Sequence, residues 1–252
     1  MIYIDIETLP PLGWSDDQVD AYVRERVPGT FKKPESIAQW CEENRLEVFG
    51  RAALDWRVSR IACIGVVHEV DGEAIGSAVF DGGTNDDDER RCLHALELWL
   101  STVRGYDETL CGHNILGFDL PRLHITAARL RHGLAGWFRG VASTRHRVVD
   151  TMHLAFPSRE RVSLADLAQA LGVGAKSGHG SEVLTMWLEG RHAELRDYCL
   201  QDVKVTRQVY RALMGELAEE DHGVEERLGI VGENMDRAQV ASLLDVAMRG
   251  GT

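Results

Sequence analysis

Apolar and polar positions along the chain first fall into a strand pattern. Ile2-Tyr3-Ile4-Asp5-Ile6-Glu7-Thr8 is β-branched and aromatic at most positions, with two acids two residues apart. Leu9-Pro10-Pro11-Leu12-Gly13 breaks it. Ser15-Asp16-Asp17 can cap a helix to about Val27, and Pro34-Glu35-Ser36 can open another to about Phe49. Strand pattern returns at Val58 to Val70, turns at Asp71-Gly72 and resumes over about Ala74 to Phe80. Asp86 to Val103 carries Leu93, Leu96 and Leu100 on one helical stripe. A short strand near Thr109 to Cys111 enters a glycine-bounded loop ending at Asp119, which feeds a helix from about Leu120 to His132. Arg147 to Asp150 reads as a short strand, and Ser163 caps a helix to Leu171. Residues 172–181, with four glycines, read as a mobile loop. A short helix over Glu182 to Leu188, a long one over Arg191 to about Leu217 and a last one over about Asp236 to Met248 complete the pattern.

Strands first, then strands alternating with helices, predict an α/β fold. Its mixed central sheet has an antiparallel run of the first three strands and flanking helices. Residues 1–215 read as one domain carrying a helical insertion over about 9–57, and 216–252 as an acidic helical appendage.

Composition narrows the class. An apolar share of 44% with 27% charged suits a globular protein, and no apolar run approaches a membrane span. Met1 runs straight into a strand without a signal-like segment, and the 5 scattered cysteines form no C-x-x-C pair, so free thiols and a cytoplasmic setting are expected. The net charge of −12 argues against non-specific coating of nucleic acid. Against that background, Leu120 to Val149 holds Arg122, Arg129, Arg131, Arg139, Arg145 and Arg147 and no acid, a candidate phosphate-contacting stretch.

The candidate chemistry lies in the acids. Asp5 and Glu7 share one face of an apolar strand, where two bare carboxylates repel and are costly to desolvate. A hard divalent cation relieves both costs. Asp119 stands at a loop-to-helix junction, and Tyr198 and Asp202 share a helix face beside Leu195, Cys199, Val203, Val205, Val209 and Leu213. Four carboxylates suit two ions cleaving a phosphodiester. Asp5 would bridge both, Glu7 and Asp202 would complete the site of the attacking water, and Asp119 would reach the second ion. A tyrosine, ordinarily neutral below about pH 10, can orient the water. Asp150 reads as the cap of the segment after it, with reach to the metal site as the alternative, and His113 as either a substrate contact or a hydrogen-bonded structural group. The remaining histidines show no metal-ligand spacing. Of the insertion's Trp14, Phe31, Trp40 and Trp56, candidates to stack on bases, at least two are expected in a core.

Asp5-x-Glu7, Gly112-His113-Asn114 with Phe118-Asp119, and Tyr198-x-x-x-Asp202 resemble the DEDDy superfamily of 3′–5′ exonucleases. More narrowly, they resemble the proofreading exonuclease domain of family B DNA polymerases and its stand-alone bacterial relatives. Val149-Asp150, Leu171-Gly172-Val173 with Lys176, and Gly180-Ser181 add to the likeness, which runs from about Met1 to Leu213. The resemblance implies an RNase H-like fold, two Mg²⁺ or Mn²⁺ ions, and release of nucleoside 5′-monophosphates from the 3′ end of DNA, preferably single-stranded. It also implies that Thr8, Asn114, Phe118, Lys176 and Ser181 contact substrate. No polymerase domain accompanies these motifs, so proofreading does not carry over. RNA as substrate is the alternative, and a catalytically silent binding module with the same fold is a third.

Overall fold

The computed structural model describes residues 1–157, 161–174 and 182–216. Its centre is a 5-stranded sheet in the order β3-β2-β1-β4-β5. The strands are β1 (Ile2–Leu9), β2 (Arg60–Val70), β3 (Glu73–Asp81), β4 (Leu110–Gly112) and β5 (Val148–Asp150). β1 to β3 form the expected antiparallel run, joined at β2–β3 by Asp71 and Gly72, both with positive φ. β4 and β5 run parallel to β1. β1 is therefore central, and its side chains alternate between two packed layers.

Even positions Ile2, Ile4 and Ile6 meet α3 (Asp86–Thr102), α4 (Asp119–Arg129) and α5 (Leu134–Ser143) through Leu93, Leu96, Leu123 and Phe138. Odd positions Tyr3 and Leu9 meet α9 (His192–Leu213) and α8 (Val183–Leu188) through Val203, Cys199, Leu195 and Met186. α6 (Thr151–Ala155) and α7 (Leu164–Leu171) pack against α9 as well.

Local chemistry starts and stops these helices. Ser15 and Gln18 close a reciprocal capping box on α1 (Asp16–Arg24). Asn85 caps α3 through the Asp87 and Asp88 N–H groups, with four acids in the first turn. Ser163 caps α7, which ends at left-handed Gly172. α5 and α6 have no counterpart in the sequence pattern.

The insertion holds α1, α2 (Pro34–Gly50) and a tight turn at Arg51–Leu54. α2 buries no residue fully and packs on α1, where Arg45 reaches Asp16 and Asp20 at 2.6 and 2.7 Å. This overturns the expectation for the aromatics. Trp14 and Trp40 are only half-buried, against Tyr22 and Phe31, while Phe31 and Trp56 are exposed. An outlying helix pair has no sheet to bury them against. Residues 175–181 of the expected mobile loop over 172–181, and the last helix of the tail, lie outside the described residues.

Candidate active site

Asp5 and Glu7 interrupt the buried odd-numbered stripe of β1. Tyr3 and Leu9, on either side, are fully buried, whereas both acids are partly open. β2 bulges opposite the next step, between Glu7 and Thr8.

α9 supplies the third acid. Across β1–β2, Asp5 pairs with Gly65. A Cβ at Gly65 would stand 2.9 Å from Cys199 Sγ, 3.1 Å from Val203 Cγ2 and 3.3 Å from the Cys199 carbonyl oxygen. The missing side chain lets α9 lie directly on the sheet at the level of Asp5. Cys199 donates its thiol to the Asp5 carbonyl at 3.8 Å. Its hydrogen bond with Cys63, then burial, push the Cys199 thiol well up, so it stays protonated and adds no charge beside the acids. Tyr198 and Asp202, one helical turn apart, are both buried on this face. A carboxylate oxygen from each of Asp5, Glu7 and Asp202 comes within 4.8 Å of the others. Two strand residues at i and i+2 and one helix residue are thus gathered at one point.

Asp119 approaches from the other side. β4 pairs with β1 only at Ile2 and Tyr3 and stops at Gly112. Beyond it, the Ile6 N–H has no strand to meet and donates instead to Asp119 Oδ1 at 3.1 Å. Asp119 is 2% exposed. Burial pushes its pKa up to about 7 against the Ile6 N–H, which favours the charged form, and the Asp150 charge pushes the same way as burial. Ile6 lies between Asp5 and Glu7, so the fourth acid is pinned to the strand that carries the pair.

The loop before Asp119 is built on Asp150. Its Oδ1 accepts the Asn114 and Met152 N–H groups at 2.9 and 3.0 Å, and its Oδ2 accepts that of Leu116 at 3.1 Å. Asp150 therefore caps α6, as expected, and also shapes the turn through left-handed Asn114. His113 spans Thr151 Oγ1 and the Val162 carbonyl at 3.0 and 2.9 Å, which gives it a hydrogen-bonded structural role.

Of the proposed substrate contacts, Asn114 and Phe118 border Asp119 and are partly open. Thr8 is buried and its hydroxyl donates to the Ala53 carbonyl of the insertion at 2.7 Å. Lys176 and Ser181 lie outside the described residues. Much of the arginine stretch is engaged internally. Arg122 stacks over Phe118 at 4.2 Å and binds Ser59 and the Leu54 carbonyl. Arg129 pairs with Asp86 and buried Glu89, and Arg147 binds the Tyr106 carbonyl. Arg131 and Arg139 are exposed. The sequence pattern did not single out Gly65 or the anchoring role of Arg122. A lone glycine inside an apolar strand run is the one signal for the former.

Among known proteins, no curated sequence matches significantly. A family B DNA polymerase from the hyperthermophilic archaeon Pyrobaculum calidifontis is similar in structure. Its TM-score is 0.51 at 21% identity, over 84% of this chain and 24% of the polymerase. This chain thus spans about a quarter of that protein, and the likeness bears on the fold, which is RNase H-like. The family described as "Predicted 3'-5' exonuclease related to the exonuclease domain of PolB" matches over residues 53–239. That span holds Asp119, Tyr198 and Asp202, and the fold brings Asp5 and Glu7 to it from outside. No described helix is long and apolar enough to cross a membrane. With the family matched over most of its length, the chain belongs to the predicted 3′–5′ exonucleases related to the exonuclease domain of PolB.

Proposed function

We propose that this chain is a two-metal 3′–5′ exonuclease. It hydrolyses phosphodiester bonds from the 3′ end of DNA, prefers single strands and releases nucleoside 5′-monophosphates. The observation that carries this reading is the convergence of Asp5, Glu7 and Asp202 within 4.8 Å. All three offer hard oxygen donors. Three such oxygens gathered at one point are donors of the kind that a single Mg²⁺ or Mn²⁺ ion takes. Mg²⁺ or Mn²⁺ held there supplies positive charge to the phosphate and lowers the pKa of a bound water.

The residues divide the remaining work. Asp5 would hold metal together with the other three acids. Glu7 and Asp202 hold the side where water attacks, and Tyr198, one turn before Asp202, orients that water through its phenol. Asp119 completes the side where the 3′ oxygen leaves. Asn114 and Phe118 border the path of the terminal nucleotides, with Thr8 near the terminal sugar, and Lys176 and Ser181 hold the strand. The family description and the family's relation to a polymerase domain support the exonuclease reading.

The test is cleavage of matched 5′-labelled DNA and RNA oligonucleotides, single-stranded and duplex, with Mn²⁺, with Mg²⁺ and with chelator. A ladder shortening from the 3′ end, faster on single-stranded DNA and absent in Asp5→Ala and Asp202→Ala, is the expected result. A faster RNA ladder would transfer the proposal to RNA. No cleavage by folded protein in any lane would end the catalytic reading.

A further inference from the structure

The opposite layer of the sheet holds a second gathering of ligating side chains. His94 and Glu97 lie one turn apart on α3, and His132 follows α4. Ligand atoms of all three lie within 4.8 Å of one another. His94 Nδ1 is 3.5 Å and His132 Nε2 3.8 Å from the same Glu97 oxygen. With metal–ligand bonds of about 2.1 Å, the corners of a tetrahedral site stand about 3.4 Å apart. The two measured edges miss that value by a few tenths of an ångström. We propose that His94, Glu97 and His132 form a metal site of the kind that takes Zn²⁺, separate from the four acids, with water at the fourth corner.

The ligand types differ from those of the acid centre in the expected way. Two imidazoles and one carboxylate suit Zn²⁺, whereas an all-carboxylate set suits Mg²⁺ or Mn²⁺. The sheet separates the two. α3 packs on the layer of Ile2, Ile4 and Ile6, and Asp5, Glu7 and Asp202 face α9.

The frame is already in place. Left-handed Arg131 ends α4, and the His132 and Arg131 N–H groups return to the Ala127 and Ala128 carbonyls at 2.8 and 3.1 Å. That turn aims His132 back at α3. Arg90, one turn before His94, binds the Leu130 carbonyl at 2.8 Å and ties α3 to the end of α4. At Gly133 a Cβ would stand 3.2 Å from Glu97 Oε1, so the chain closes over the carboxylate without a side chain in the way. One contact opposes the site. The Leu134 N–H donates to His132 Nδ1 at 3.3 Å, which puts the ring proton on Nε2. Binding through Nε2 moves that proton to Nδ1 and gives up this long, weak bond.

Such a site staples α3 to the α4–α5 turn, so its readouts are metal uptake and stability. The full chain carrying Asp5→Asn and Asp202→Asn, which disables the acid centre, is titrated with Zn²⁺ and melted with and without it. His94, with its side chain 62% exposed, is replaced by glutamine for comparison, because that change disturbs no packing. One equivalent of Zn²⁺ and a raised Tm are expected before His94→Gln. After it, affinity should be weaker by about a hundredfold or more, given that even outer partners of ligands are worth 10–100-fold, and the Tm gain should vanish. Co²⁺ in place of Zn²⁺ should show the strong visible absorption of a tetrahedral site only before the change. If the acid-centre variant fails to fold, wild type against His94→Gln in saturating Mg²⁺ makes the same comparison. Equal uptake and equal Tm gain with and without His94, or no uptake in either, overturns the site.

Discussion

The Asp119 carboxylate is buried and takes the N–H of Ile6, the residue between Asp5 and Glu7. Burial is the larger influence and moves its pKa to about 7. In the unfolded chain an aspartate ionises near 4. Between those two values the folded protein holds a proton that the unfolded chain has released. Asp119 therefore lowers the stability of the metal-free protein progressively as pH rises from about 4 to about 7. A divalent ion beside it displaces the proton and removes this loss. Asp119→Asn removes the titration and keeps an oxygen for Ile6. In chelator, the wild-type Tm should fall over that pH range by more than the variant's, and added Mn²⁺ should shrink the difference. Parallel curves with and without Mn²⁺ would show that the carboxylate is already ionised throughout.

At the scale of elements, the acid centre depends on how closely α9 lies on β1 and β2. Gly65→Ala tests this. The added Cβ meets Cys199 and Val203 at 2.9 and 3.1 Å, so the helix must lift. A cost of about 1–3 kcal/mol in urea unfolding is expected. A larger effect is expected on Mn²⁺ affinity, because lifting α9 draws Asp202 away from Asp5. Cys199→Ala in the same chain should restore part of both. Unchanged Mn²⁺ affinity in Gly65→Ala would show that the helix can yield without moving the acid. The acids of this centre were legible in sequence because they violate a pattern. Asp5 and Glu7 sit where β1 should be apolar, and Asp202 sits beside the apolar side of α9. Gly65 conformed to its strand and gave no such sign, since its meaning depends on which helix lies over it. α5 escaped because Gly136 and Gly140 dilute its helical signal, and α6 because it is a single turn. The insertion's aromatics misled, since a tryptophan-rich stretch reads as core whether or not a sheet is available to receive it.

Across the whole molecule, the far half of α9 is fastened by a buried ion pair. Arg207 Nε meets Glu69 Oε2 at 2.5 Å, and Arg207 also binds the Gly72 carbonyl of the β2–β3 turn at 2.9 Å. Tyr3 donates its hydroxyl to the other Glu69 oxygen at 3.2 Å. Replacing Arg207 by Met strands a buried carboxylate, and a loss of about 3–5 kcal/mol is expected in urea unfolding. Cleavage per folded molecule should be retained, because the pair secures the fold at a distance from the acids. Loss of Mn²⁺ affinity in the variant at full folding would instead make the pair part of the site.

The short β4 has a consequence of another kind. The strand gives up its pairing with β1 after Tyr3, and the backbone group so released holds Asp119. Two more residues of β4 would add a rung to the sheet and evict the acid. Selection for a sturdier sheet would therefore erase the centre while leaving the fold recognisable. Sheet continuity and the placement of Asp119 draw on the same amide here, so neither can be extended without giving up the other.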